Sequence, residues 1–167
     1  DYIASLTIGS ASVAILLCDE ELSRTGNRLT TAVVYCDTTQ HDLCQSEGLQ
    51  TLMRTDSEEL LRRGIAAGAN TFERFLAAVG WEPDDINRTF CHQVGVAHRK
   101  LMFESLGLNP RIDFATLETL GNTGSAALPI TMALGAEQGR LHKNDRVAML
   151  GIGSGINGAC AYATMAR

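Results

Sequence analysis

Two spacings of apolar residues divide this chain. From Asp56 onward Leu61, Ile65, Ala69, Phe72, Leu76 and Val79 recur at steps of three or four, the period of one helix face. Asp56, with Glu59 three residues on, is suited to cap its start, and Gly80 and Pro83 to stop it. Elsewhere the apolar residues come in short runs bounded by turn residues, which is how strands read. "ASLTIGSASVAILLC" (4–18) is apolar on both alternating faces, as a strand buried inside a sheet is. After a turn at "SRTGNR", "LTTAVVYC" (29–36) predicts a second strand, and "DTTQHDLCQSEG" a polar loop. "NRTFCHQ" (87–93) predicts a third strand, and 95–106 a short helix ended by Gly107 and Pro110. "DFATLETLGNTGSAALPITMALGAEQG" predicts a brief strand, a loop around Gly121–Gly124, and a helix holding Pro129 in the first turn, where proline is tolerated. "DRVAMLGIG" and "INGACAYATM" predict two last strands. From residue 29 the expected order is β-α-β-α-β-α-β-β, an α/β fold with a mixed sheet and helices on its faces.

Length and composition narrow this picture. The 167 residues are enough for one ordinary domain, and 45% hydrophobic with 20% charged is the profile of a globular α/β protein. A net charge of −5 argues against a general electrostatic grip on nucleic acid or anionic membrane. No apolar run approaches the roughly 20 residues of a membrane span. The five cysteines (18, 36, 44, 91, 160) include no C-x-x-C pair, so neither a zinc site nor a compact disulfide framework is signalled. A reduced, cytoplasmic setting fits that usage. The opening "DYIASLTIGS" enters a strand-like run at once, which suggests a piece of a longer chain.

His92 stands at the carboxyl end of a predicted strand, the edge of an open α/β sheet where ligands bind. Taken alone it reads more simply as a hydrogen-bonded core histidine. Asn122 sits between Gly121 and Gly124 in a loop that leads into a helix, which taken alone reads more simply as a plain turn. The same geometry admits a ligand closely, and an amide and an imidazole N–H converging on one oxygen would make an oxyanion hole. "GIGSGING" contains G-x-G-x-x-G at Gly153, Gly155 and Gly158, but the nine residues after it are too few for the crossover helix, strand and acid of a dinucleotide fold. A tight loop between adjacent strands, with bare N–H groups near a ligand, is the better expectation. Cys91 and His92 are neighbours on a strand and point to opposite faces, so Cys91 is expected to be a buried structural thiol, and the other cysteines likewise. His98, Arg99 and Lys100 read most simply as a solvated helix face, and His41 and His142 as surface residues.

"CHQVG" (91–95), "GNTGSA" (121–126) and "GIGSG" (151–155) in this order resemble the C-terminal half of the thiolase-superfamily condensing enzymes. The branch is of the ketoacyl-ACP synthase III type, and within it "HQVG" is most similar to the head-to-head acyl-CoA condensing enzymes of olefin and β-lactone pathways. The typical synthase III instead has an alanine-asparagine pair after its His-Gln. The resemblance covers essentially the whole chain. It implies that 1–28 is the last strand and connection of an N-terminal half, and 29–167 the C-terminal thiolase-like domain. It also implies that His92 and Asn122 hold a thioester carbonyl oxygen as an enolate forms. The backbone at Gly153, Ser154 and Gly155 would complete an oxyanion hole, and Gly121 and Gly124 would line the substrate. The nucleophilic cysteine and a glutamate base would come from the N-terminal half, so this chain supplies no nucleophile. No metal or resident cofactor is implied, coenzyme A or acyl carrier protein thioesters being substrates, and a homodimer or heterodimer is expected. The alternatives are a synthase III that primes fatty-acid or polyketide synthesis with malonyl-ACP, and a non-catalytic partner subunit of a heteromeric enzyme. A small acyl-CoA binding module is a further one.

Overall fold

Val147 and Ala148 are consecutive, and each is fully buried on a different side of one sheet. Side chains alternate along a strand, so a run apolar at every position needs cover on both faces. The computed structural model, which describes residues 6–46 and 54–164, supplies it. Strands β1 (Arg28–Cys36), β4 (Arg88–Cys91), β5 (Arg146–Gly153) and β6 (Asn157–Thr164) form a sheet in the order β1-β6-β5-β4. β5 runs parallel to β4 and antiparallel to β6, which is antiparallel to β1. Two-residue strands β2 (Cys44–Gln45) and β3 (Arg54–Thr55) pair separately.

On one face Ala148 and Leu150 meet Phe72 and Phe75 of helix α1 (Ser57–Val79) and Phe103 and Leu106 of helix α2 (Val96–Leu106). On the other, Val147 and Phe90 meet Leu128 and Met132 of helix α4 (Ala127–Glu137). Phe75 and Phe90 have no exposed surface, and burying each contributes roughly 1.5–3 kcal/mol. The long helix begins and ends where its sequence signals: the Glu59 N–H donates to Asp56 Oδ1 at 3.1 Å, and Gly80 takes φ 69° with its N–H on the Leu76 carbonyl. Pro129 stands in the first turn of α4. The mixed sheet with helices on both faces is the predicted class.

Three expectations change. The 4–18 run, as far as it is described, is not a strand buried in a sheet. Its one ladder contact is the bridge Ile8–Asn122, and Ile15, Leu16 and Leu17 are 69%, 89% and 74% exposed. An alternating apolar pattern records faces that seek cover, and beyond that bridge Ile15, Leu16 and Leu17 find none among the described residues. The brief strand before Asn122 shrinks to a single parallel bridge, Thr89–Asp113, followed by the short helix α3 (Leu117–Leu120). Cys18 and Cys36 are exposed rather than buried, because Cys36 lies on the β1 face that no described helix covers. Cys44 is half-buried.

Candidate active site

β4 ends at Cys91, and the ladder continues for one residue: the His92 N–H donates to the Leu150 carbonyl at 2.8 Å. Because β4 and β5 are parallel, their carboxyl ends lie at one edge of the sheet. His92 leaves that edge from β4, and the turn at 154–156 leaves it from β5. The bridge from Thr89 to Asp113 sends the chain toward the same edge before it reaches Asn122.

Gln93 fixes this corner. Its amide donates to Thr131 Oγ1 at 2.8 Å and Thr116 Oγ1 at 3.3 Å, and its Oε1 accepts from the Thr116 N–H at 3.0 Å. The two threonine hydroxyls are 2.6 Å apart, and Thr131 also donates to the Ala127 carbonyl. All three residues are buried, so strand end, loop and α4 are joined by a satisfied polar network.

Asn122 is held by its backbone on both sides. Its N–H donates to the Thr7 carbonyl at 2.8 Å, and its carbonyl accepts from the Gly9 N–H at 2.9 Å. Its side-chain Oδ1 accepts from the Gly124 N–H at 3.0 Å, so the Nδ2 amide keeps its donors for something else. Gly121 has φ 68°, and a Cβ there would lie 2.8 Å from the Thr7 carbonyl oxygen, so glycine is required. Gly124 borders open space. His92 has its pKa lowered by burial, against a smaller opposing effect of the Gly124 backbone. His92 and the Gly121–Gly124 loop thus come together at Gly124.

Gly153 ends β5, and Ser154 and Gly155 lie in the tight turn to the adjacent strand β6. The turn is fixed from behind: Asp37 and Ile156 exchange backbone hydrogen bonds of 2.8 Å, and the Asn157 amide donates to the Ser154 carbonyl at 3.2 Å. Gly153 and Ser154 are exposed. Among the described residues no hydrogen bond joins this turn to His92 or Asn122.

Beneath His92 an apolar pocket opens between α1, α2 and the sheet, walled by Val94, Met102, Phe103, Leu106 and Ile152. His98 lines it too, which corrects the solvated-face expectation. Burial lowers the His98 pKa, and the nearby His92 lowers it further. The signal was in the spacing, since His98, Met102 and Leu106 are four apart and fall on the inward side of α2. Arg99 is not simply solvated either: its guanidinium donates to buried Asp113 at 2.6 Å, while Lys100 stays exposed beside Glu104. Asp113 also accepts from Thr89 at 2.9 Å and from the Cys91 thiol at 3.5 Å. Burial, then the Asp113 charge, pushes the Cys91 thiol well above its usual range, the opposite of a nucleophile's need. The Cys91 thiol is half-buried and turned to Asp113, and His41 and His142 are exposed. Among the described residues no group of three or more His, Cys, Asp or Glu could hold a metal ion, and no helix is long and apolar enough to cross a membrane.

The acyl-CoA:acyl-CoA alkyltransferase of Shewanella oneidensis is 39% identical over 166 residues, covering 93% of this chain and 47% of the relative. The protein of the same name from Xanthomonas campestris is 34% identical, over 93% of this chain and 45% of its own length. The chain therefore spans about half the length of these curated relatives. The crystal structure of a cysteine-to-serine variant of Xanthomonas campestris OleA with bound lauric acid and lauroyl-CoA superposes with a TM-score of 0.81 at 33% identity, over 87% of this chain and 42% of that one. Residues 76–165, which hold His92, Asn122 and the Gly153–Gly155 turn, match the model of the 3-oxoacyl-[acyl-carrier-protein (ACP)] synthase III C-terminal domain, and the chain belongs to that family.

Proposed function

We propose that this chain is the C-terminal half of an acyltransferase that joins two acyl thioesters, at least one a fatty acyl-CoA, in a Claisen condensation to a β-ketoacyl product. The observation that carries the proposal is the meeting of His92 and Asn122 at Gly124, on the edge where β4 and β5 end. A neutral imidazole offers one N–H, and the Asn122 amide keeps its two. Placed on a thioester carbonyl oxygen, such donors stabilise the enolate that forms on the adjacent carbon. Gly124 leaves the space for that approach, and the turn at Gly153–Gly155, exposed at Gly153 and Ser154, is suited to the oxyanion of acyl transfer. The acyl group itself needs a thiolate. Desolvation and Asp113 disfavour the Cys91 thiolate, and this chain spans about half the length of its relatives, so we assign the nucleophilic cysteine to a separate segment with which it forms a homodimeric or heterodimeric enzyme. No resident cofactor takes part. Free cysteines 18, 36, 44 and 91 support a cytoplasmic setting.

The test pairs this chain with its cysteine-bearing segment and measures condensation of acyl-CoA. His92→Ala or Asn122→Ala should each lower the rate by about 10²–10³; an unchanged rate refutes the assignment. The family match also suits a synthase III priming with malonyl-ACP. That reading predicts carbon dioxide release at each condensation, whereas the union of two acyl-CoA molecules releases none.

A further inference from the structure

His98 shares the pocket with His92, and its ring lies against α1 where that helix has no side chain: a Cβ at Gly64 would be 3.9 Å from His98 Nε2. One turn on, Gly68 makes the same room for Met102, whose Sδ would lie 2.9 Å from a Cβ there. Two glycines on α1 thus admit two residues of α2, also one turn apart, over an apolar floor.

Most polar side chains of this pocket are engaged. The Thr71 hydroxyl donates to the Ala67 carbonyl, the Gln93 amide is spent on Thr116 and Thr131, and Cys91 and Arg99 turn to Asp113. Among the described residues His98 makes no hydrogen bond with its ring. A half-buried imidazole on an apolar wall loses solvation without recovering it from the protein, so a ligand that supplies a partner gains there.

We propose that His98 is a specificity-determining residue that hydrogen-bonds an amide of the thioester's arm while His92 holds the thioester carbonyl. The proposal rests on the condensing function above. Coenzyme A and acyl carrier protein thioesters both carry two amides beyond the sulfur, and an acyl chain carries none. A neutral imidazole matches an amide at either end, having one donor and one acceptor. Burial and the neighbouring His92 both favour that neutral form.

The experiment uses the complete enzyme, this chain with its cysteine-bearing segment. It compares kcat/KM for an N-acetylcysteamine thioester, which keeps the amide nearest the sulfur, with the S-butyl thioester of the same acyl group, which has none. His98→Leu should reduce the preference for the amide-bearing substrate about fivefold, the loss of one hydrogen bond. His98→Gln should keep most of that preference. An undiminished preference in His98→Leu, or an equal fall for both substrates, overturns the proposal, the latter marking a packing role. If the leucine variant does not fold, His98→Met decides the same question with an unbranched side chain. Failure of the condensing function is read separately, as His92→Ala condensing at the normal rate.

Discussion

His92 and Asn122 meet at one residue: the Gly124 backbone faces the His92 ring, and the Gly124 N–H donates to Asn122 Oδ1 at 3.0 Å. The two halves of the Asn122 amide therefore have separate jobs. Its oxygen folds the loop, and its nitrogen is left for a ligand.

Asn122→Asp separates them. The carboxylate keeps the acceptor for the Gly124 N–H, so the melting temperature should hold within what about 0.5 kcal/mol produces. Its negative oxygen replaces the donor that meets the substrate's anion, so condensation should fall at least about 10²-fold. Asn122→Ala loses both functions and should also cost about 1 kcal/mol of stability. Calorimetry and a rate assay on the two variants check this; an aspartate variant of normal rate refutes the donor role.

Gln93→Leu should destabilise by about 2–3 kcal/mol, seen as a lower denaturant midpoint. The leucine fills the space but leaves the Thr116 N–H, which now donates to Gln93 Oε1 at 3.0 Å, buried without that acceptor. A midpoint unchanged from the parent chain would mean that the network does not bind strand end to α4.

Gln93 also shows where sequence reasoning runs out. The class of fold, the long helix and the two-strand turn at Gly153–Gly155 were legible because local signals agree with the packing: the Asp56 cap, the Gly80 stop and the glycines between apolar runs. His92 and Asn122 were legible through their motifs. The partners of Gln93 were not, since Thr116 and Thr131 lie 23 and 38 residues on and a buried threonine looks like any other. The 4–18 run misled for a related reason, because periodicity reports that a segment is apolar and not which surface covers it. The charged neighbours of His98 point to a solvated face, whereas its four-residue spacing to Met102 and Leu106 places it on the inward side of α2.

The two site histidines predict how stability and rate depend on pH. Both have folded pKa values below the ordinary 6.5, mainly through burial. Between the folded and unfolded values the unfolded chain binds more protons. Stability should therefore be level above pH 6.5 and fall as pH drops below it, by at most about 1.4 kcal/mol per pH unit for each histidine. His98→Leu should roughly halve that slope. Since the neutral His92 ring already offers an N–H, kcat/KM should not need its protonation and should show no gain as pH falls from 8 through 6.5. Stability that rises on acidification from pH 7 to 5.5 would contradict the burial of both rings.

Thr123 and Thr131 should respond oppositely to the same substitution. Thr123 is 9% exposed, and its hydroxyl is buried with no hydrogen-bond partner among the described residues. Thr131, fully buried, donates to the Ala127 carbonyl at 2.6 Å and receives the Gln93 amide. Valine has threonine's shape without its hydroxyl, so Thr131→Val should cost about 1–3 kcal/mol, whereas Thr123→Val removes an unpaired polar group and should be neutral or stabilise by up to about 1 kcal/mol. In a domain of this size that is a rise of about 2–4 °C in Tm. Thermal melts of the two variants decide it. A loss at Thr123 matching that at Thr131 would show that its hydroxyl is paired when the protein is assembled, and because Thr123 lies between Asn122 and Gly124, the cysteine-bearing segment would then be the place to seek its acceptor.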